Sequence, residues 1–302
     1  MSAAYAATKP AAGRLCLGTA QFGQHYGIAN QSGKVSKEEA SRILSLAQER
    51  GVDSIDTAMD YGDSEHVLGQ VGVSRFNVVT KLPALPDDVA DVQAWVNAMV
   101  GASLNRLGAP FLYGLLLHRP GQLSGKQGAA LSIALQNVKA TGLVRKIGVS
   151  IYDPEELESI LDALPVDLIQ APFNLIDRRL HTSGWLDRLH DKGVEIHVRS
   201  VFLQGLLLMP PTAVPGKFRK RWPKVWDTWY GWLSANPAVS AVQACIGFVH
   251  GFSQINRIVI GVDSPIQLSQ IIGGLKIGSP KNWPAMGHYD RLLISPYLWP
   301  DF

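Results

Sequence analysis

From Arg14 onward, short apolar runs alternate with longer stretches in which apolar residues recur every three or four positions, separated by Gly, Pro and Asp. The short runs are RLCLG (14–18), VDSID (52–56), FNVVTK (76–81), FLYGLLLH (111–118), RKIGVS (145–150), VDLIQ (166–170), VEIHVRS (194–200) and RIVIGV (257–262). Several are nearly continuous in apolar residues, as strands covered on both faces are. The longer stretches read as helices. SKEEASRILSLAQERG (36–51) opens on a Ser-x-x-Glu capping box and closes on Gly51. DDVADVQAWVNAMVGASLNRLG (87–108), GKQGAALSIALQNVKATG (125–142) and DPEELESILDAL (153–164) follow the same logic. Strand then helix, repeated eight times with parallel crossovers, predicts an α/β fold, a single-domain (β/α)₈ TIM barrel. No sequence repeat accompanies the pattern, which excludes a solenoid.

One segment breaks the rhythm. LQGLLLMPPTAVPGKFRKRWPK (203–224) is too long and too rich in proline for an ordinary connection, so a long loop over about 203–222 is expected to overhang the C-terminal mouth. Residues 1–13 lack a continuous apolar stretch and read as a disordered leader to a barrel over 14–302. The tail, about 276–302, carries Trp283, Tyr289, Tyr297 and Trp299 and is expected to pack on the barrel or line its rim.

Composition narrows the function classes. The chain is 46% hydrophobic and 18% charged with a net charge of +3, an ordinary globular balance. No nucleic-acid partner is expected, because GKFRKRWPK (216–224) is the one dense basic run, and it reads as a solvated loop or, alternatively, an anion patch. Uncharged runs such as 200–216 are broken by Gln204, Pro210, Pro211 and Pro215, so no membrane span is expected. Cys16 and Cys245 lie far apart in apolar surroundings, which implies no disulfide framework and suits a reducing, cytoplasmic setting. No metal is expected, since there is no H-E-x-x-H or paired-His spacing.

The chemistry centres on SIDTAMDYGDSEHVLG (54–69). Alone it reads as a capped turn, with Ser64 or Asp63 capping the next helix and Asp60 as a turn residue without a chemical role. Its neighbours change that. Asp56 closes the second strand, Tyr61 lies just past it, Lys81 closes the third and His118 the fourth, so a barrel aims all four into one mouth. A phenol with a pKa of about 10 donates a proton poorly at neutral pH unless a cation lowers it, and a lysine held by a carboxylate is such a cation.

At this point the chain resembles the aldo-keto reductase family. The resemblance runs from RLCLGTAQFG through ERGVDSIDTAMDYGDSEHVLG, VVTKLP, LLLHRP, TGLVRKIGVSIYDPEEL, IQAPFNLID and RSVFLQGLL to RIVIGVDSPIQLSQII. It implies an NAD(P)H-dependent oxidoreductase that binds its cofactor extended, without a Rossmann domain. No G-x-G-x-x-G follows a strand, in keeping with that. Carried over, Tyr61 is the general acid, Lys81 lowers its pKa, Asp56 pairs with Lys81, and His118 orients the carbonyl of a small aldehyde or ketone substrate, or of the corresponding alcohol in reverse. Ser150, Gln170 and Asn174 match the nicotinamide carboxamide positions, and Gly18 and Thr19 the first-strand loop near the same ring. Ser200, Leu203, Gln204 and Gly205 match the pyrophosphate segment, and Gly261, Ser264, Gln267 and Gln270 the adenosine end.

There are three departures. Arg199 stands where many family members stack an aromatic ring on the nicotinamide, so it is assigned to the cofactor through its flat guanidinium. The segment GVDSPIQLSQII lacks the Lys and Arg that grip a 2′-phosphate, and an inward Asp263 would repel one. NADP is therefore expected with NAD as the alternative, and Lys217, Arg219, Lys220, Arg221 and Lys224 are the basic substitutes if their loop folds over the cofactor. Little sequence precedes the first strand, so a hairpin closing the barrel bottom is expected to be short or missing. In the loop after that strand, Gln21, Phe22, His25 and Tyr26 are candidate substrate contacts, although Phe22 and Tyr26 suit local packing equally well. The polar mouth favours a sugar-like carbonyl compound. The rival readings are a non-catalytic nicotinamide-binding regulatory subunit and a metal-dependent barrel hydrolase.

Overall fold

The computed structural model describes residues 11–275 and 282–299. Residues 1–10 of the expected leader, and 276–281 and 300–302 of the expected tail, lie outside the described residues.

All eight apolar runs are strands: β1 (Leu15–Gly18), β2 (Ser54–Asp56), β3 (Asn77–Leu82), β4 (Leu112–Leu117), β5 (Val144–Ser150), β6 (Leu168–Pro172), β7 (Glu195–Arg199) and β8 (Arg257–Gly261). Each pairs in parallel with its sequence neighbour, and β1 pairs with β8 from Leu15↔Ile258 to Gly18↔Gly261, closing the barrel. The helices are α1 (Ala20–Gly23), α2 (Lys37–Glu49), α3 (Ser64–Val71), α4 (Val92–Leu107), α5 (Gly128–Ala140), α6 (Leu157–Ala163) and α7 (Arg179–Thr182). They continue with α8 (Trp185–Asp191), α9 (Gly216–Arg221), α10 (Pro223–Ala235), α11 (Ala241–His250), α12 (Pro265–Gly274) and α13 (Arg291–Ile294).

Side chains alternate across each strand. Ile55, Val78, Leu115, Val149, Ile169, Ile196 and Ile258 join the core shared with the helices. The intervening positions face the barrel interior, where Val79, Leu116 and Leu168 form a separate small cluster. Below that layer the floor is polar. Glu195 accepts from Tyr113 Oη at 2.8 Å and pairs with Lys146 and with His197, whose Nε2 is 2.8 Å away. Burial opposes ionisation of Glu195, but these three partners hold its carboxyl well below the usual range. The bottom is closed by a 3₁₀ turn over Ala11–Arg14, which overlaps the end of the segment expected as leader. Arg14 donates to the carbonyls of His250, Phe252 and Ile255.

Several local expectations are revised. In α2, Ser36 accepts from the Glu39 N–H at 3.2 Å, but the Glu39 carboxylate turns to Arg42 instead of completing the box. Asp63 occupies the cap position of α3 without capping it, because its carboxylate pairs with Lys34 at 2.9 Å. Ser64 is the first helical residue and donates to the Thr19 carbonyl at 2.9 Å. The segment expected as a long loop holds a 3₁₀ turn (Leu206–Leu208) and α9 and ends where α10 begins. Phe218, Trp226 and Trp229 bury the inner faces of α9 and α10, which is how a proline-rich stretch still makes helices. The described tail packs as expected: Trp283 stacks with Trp232, and Trp299 meets Phe218 edge-on. Tyr289 is exposed.

Candidate active site

The four predicted ionisable residues converge at the C-terminal mouth. Asp56 ends β2, Lys81 lies one residue from the end of β3, and His118 follows the last residue of β4. Lys81 Nζ donates to Asp56 Oδ2 at 2.7 Å and to the Thr57 carbonyl at 2.9 Å, and it lies 5.0 Å from the centre of the Tyr61 ring. His118 meets that ring edge-on, 5.9 Å between centres.

Tyr61 is placed by backbone contact. A Cβ on Gly23 would stand 1.7 Å from the Tyr61 carbonyl oxygen, and one on Gly62, which has φ +54°, would stand 2.4 Å from the Gly23 oxygen. Only glycines let α1 press this closely on the turn that carries the phenol.

The electrostatics follow from burial. Lys81 and Asp56 are almost fully buried. Burial alone would push the Lys81 ammonium down, but Asp56 and the Tyr61 phenol outweigh it and the net direction is upward, so Lys81 stays cationic. Burial pushes the Tyr61 phenol above its usual value; Lys81 pulls it down, as expected, without overcoming burial. Tyr61 therefore rests protonated. His118 is lowered to about 4, first by burial and then by Lys81, Arg119 and Arg199, so its imidazole is neutral at physiological pH.

Asp56 has a second support. Gln170 Nε2 donates to Asp56 Oδ1 at 2.6 Å from β6, on the opposite side of the barrel, and its Oε1 accepts from Ser150 Oγ at 3.3 Å. Both residues, matched by resemblance to the carboxamide, are buried in this network. Asn174 is also buried; it donates to the Ser200 carbonyl at 3.0 Å and accepts from the Ile176 and Asp177 N–H groups. Asp60, which the sequence reads as a turn residue, brings Oδ2 to 3.7 Å from His118 Nδ1. Its place beside an imidazole 58 positions on is a tertiary contact that no local pattern signals.

A cavity of 430 Å³ opens from Asp56 and Tyr61. Of the positions matched to the cofactor, Gly18, Thr19, Arg199, Ser200, Gln204, Gly205, Gly261, Gln267 and Gln270 line it. Leu203 is buried behind the wall and Ser264 caps α12, accepting from the Gln267 N–H. Gln21 and Tyr26 line the cavity, whereas Phe22 is wholly buried in the core. Asp263, Asn30 and Val242 also line it.

The turn after β7 forms one wall, with Ser200, Leu203 and Gln204 at φ of 62°, 49° and 53°. Three non-glycine residues in the left-handed region mark stored strain of about 1–3 kcal/mol each, held by the packing around them. Arg199 donates to the Ile151 carbonyl at 3.0 Å and sits over the Tyr152 ring, which meets Tyr297 of the tail. The basic residues of 216–224 lie elsewhere. Lys217 donates to the Trp299 carbonyl, Arg221 lies 3.7 Å from Asp290, and Arg221 and Lys224 border a separate depression with Met286 and His288.

The cavity has the size and lining of a small-molecule site. Its volume is within the range of small-molecule sites, about 300–1,000 Å³, and its wall joins the proton-bearing Tyr61 to a polar end where an Asp263 carboxylate oxygen is buried without a partner. Among the described residues no group of three His, Cys, Asp or Glu is placed to hold a metal, and no helix is long and apolar enough to cross a membrane.

The chain is similar to known proteins. The NADH-specific methylglyoxal reductase of Escherichia coli K12 is 27% identical over 299 residues, covering 87% of this chain and 90% of that protein. An aldo-keto reductase of Mycolicibacterium smegmatis is 36% identical over 136 residues, 43% of this chain and 46% of that one. The holo form of aldo-keto reductase AKR11C1 from Bacillus halodurans aligns with a TM-score of 0.70 at 17% identity, over 92% of this chain and 94% of that one, a likeness of fold. The model of the Aldo/keto reductase family matches residues 14–280, nearly the whole barrel, and the chain belongs to that family.

Proposed function

We propose that this chain moves a hydride between a nicotinamide cofactor and a small polar carbonyl compound, reducing an aldehyde or ketone or oxidising the corresponding alcohol. The observation that carries the reading is the buried Lys81–Asp56 pair set 5.0 Å from the ring of Tyr61, where Asp56 and Tyr61 line the cavity. When bound, the nicotinamide donates or accepts the hydride. Tyr61 holds the proton: the buried phenol is protonated at rest and gives its hydrogen to the carbonyl oxygen as negative charge develops there. Lys81 stabilises the phenolate that remains, and Asp56, braced by Gln170, keeps Lys81 charged and in place. His118, neutral, donates a ring N–H that orients the carbonyl. In the oxidative direction Tyr61 takes the proton from the alcohol.

Arg199, Ser200, Gln204 and Gly205 would hold the cofactor near the reacting end, and Gly261, Gln267 and Gln270 its far end. Gln21, Tyr26 and Asn30 make the mouth polar, which favours short, oxygen-rich carbonyl compounds. Sugar-like aldehydes and small dicarbonyls belong to this class, and methylglyoxal, named for the E. coli relative, is one of the latter. NADP was expected with NAD as the alternative, and the basic residues of 216–224 that would have favoured NADP do not line the cavity.

Tyr61→Phe tests the reading. Cofactor affinity, measured by calorimetry, is expected to change by less than about 1 kcal/mol while kcat with a carbonyl substrate falls at least about 10²-fold. Full turnover by the variant would remove Tyr61 from the proton-transfer role.

A further inference from the structure

The far end of the cavity contains a carboxylate, Asp263, with one oxygen left without a hydrogen-bond partner among the described residues. Asp263 lies between β8 and α12, and its backbone N–H donates to Gln267 Oε1 at 2.8 Å, which fixes the residue against the first turn of the helix. Asp263 lines the cavity; its carboxylate interacts with the Gln267 side chain and with His25, but Oδ1 is buried without a hydrogen-bond partner among the described residues. A buried carboxylate oxygen left unpaired is costly, and a carboxylate can only accept hydrogen bonds. The missing partner is therefore a donor that arrives with the ligand.

The surrounding charges limit which ligand that is. Among the described residues lining the cavity the charged ones are Asp56, Arg199 and Asp263, and the single cation, Arg199, ends β7 beside Tyr152 at the reacting end. Beside Asp263 the lining is Gly261, Gln267, Gln270 and Ile271. With the nicotinamide at Tyr61, a dinucleotide extended along the cavity brings its adenosine ribose to this end. A ribose with free hydroxyls presents two O–H donors to the carboxylate, the same chemistry by which an acidic residue reads a 2′-hydroxyl in dinucleotide-binding folds generally. A 2′-phosphate carries more than one negative charge and offers acceptors, so it would meet Asp263 with repulsion; His25 lies near that carboxylate, but among the described residues no Lys or Arg lines this end of the cavity.

We infer that Asp263 makes this protein selective for the unphosphorylated dinucleotide, NADH over NADPH, by accepting the adenosine ribose hydroxyls in the cavity. The inference rests on the nicotinamide reading above. It is tested by binding alone: the full chain, without carbonyl substrate, is titrated calorimetrically with NADH and with NADPH, and so are Asp263→Ser and Asp263→Asn. The wild type is expected to bind NADH at least about 30-fold more tightly, because like charges brought together without water are strongly disfavoured. Both variants remove the charge, and Asn keeps the shape. In each, NADPH affinity is expected to rise at least about tenfold while NADH affinity falls severalfold, collapsing the preference. Equal or tighter NADPH binding by the wild type overturns the inference, as does a preference unchanged in both variants. Binding of neither cofactor by the wild type overturns the nicotinamide reading itself, and the inference with it.

Discussion

His118 takes up a proton near pH 6.5 when unfolded and only near about 4 when folded, because burial and the cations Lys81, Arg119 and Arg199 disfavour its charged form. Between those values the unfolded chain binds more protons than the folded one, so stability rises with pH through the window and is lost as pH falls from 6.5 towards 4. The full difference is about 3 kcal/mol. Urea unfolding of the wild type and of His118→Gln at several pH values should show the wild type losing up to that much more over the window; parallel curves would refute the assignment. His118 was legible in the sequence together with Asp56, Tyr61 and Lys81, because each stands at or just past the end of an apolar run, and a barrel gathers such positions. Asp60 was not legible, since a turn carboxylate gains this partner only when β2 and β4 are held on either side of β3 in the folded barrel. Gln170 was read as a cofactor contact because a glutamine at a strand end looks the same whether it faces a ligand or, as here, a carboxylate across the barrel.

At the level of elements, the eight strands were readable because each is short, apolar and bounded by turn residues. The segment after β7 was not, because Pro210, Pro211 and Pro215 read as breakers, while a fourth proline, Pro223, starts α10 at a position that tolerates proline. The caps of α2 and α3 misled for a related reason: Glu39 and Asp63 have cationic neighbours, Arg42 and Lys34, that compete for their carboxylates. The contact between α1 and the Tyr61 turn is the element-level feature on which the site depends. Gly23→Ala puts a methyl group into the Tyr61 carbonyl, with rigid backbone on both sides. We expect a loss of about 1–3 kcal/mol in unfolding free energy, as for other overpacked positions, together with a fall in kcat as the phenol is displaced. Gly101→Ala, within α4 and facing open space, is the contrasting case. It should stabilise the protein by about 0.5–1 kcal/mol and leave turnover unchanged. Equal effects of the two substitutions would show that the close approach at Gly23 is not what positions Tyr61.

Across the whole molecule the barrel separates its two ends. The C-terminal end carries the Lys81–Asp56 pair, the strained turn after β7 and the cavity, whereas the N-terminal end is closed by arginines that bond to backbone. Arg14 donates to three carbonyls in 250–255, and Arg257 reaches the Gly13 carbonyl and lies 3.0 Å from Asp53 Oδ1. That Arg14, just before β1, helps close the floor depends on contacts more than 230 positions away, which no periodicity encodes. These bonds join the start of the barrel to the segment that enters β8, the strand that pairs with β1, so they reinforce the closure itself. Arg14→Ala removes the Arg14 donors from the partly buried His250 and Ile255 carbonyls and leaves the Phe252 carbonyl with the Ile255 N–H. Since hydrogen bonds to a charged donor contribute about 1.5–3 kcal/mol each and are not additive, a total loss of about 2–4 kcal/mol is expected. Because the lost contacts lie at the end of the barrel away from Tyr61, cofactor affinity and kcat measured well below the melting temperature should match the wild type, while the urea midpoint falls. A variant that lost cofactor affinity in proportion to stability would show instead that the two ends of the barrel are coupled through its polar interior, from Glu195 and His197 up to Gln170 and Asp56.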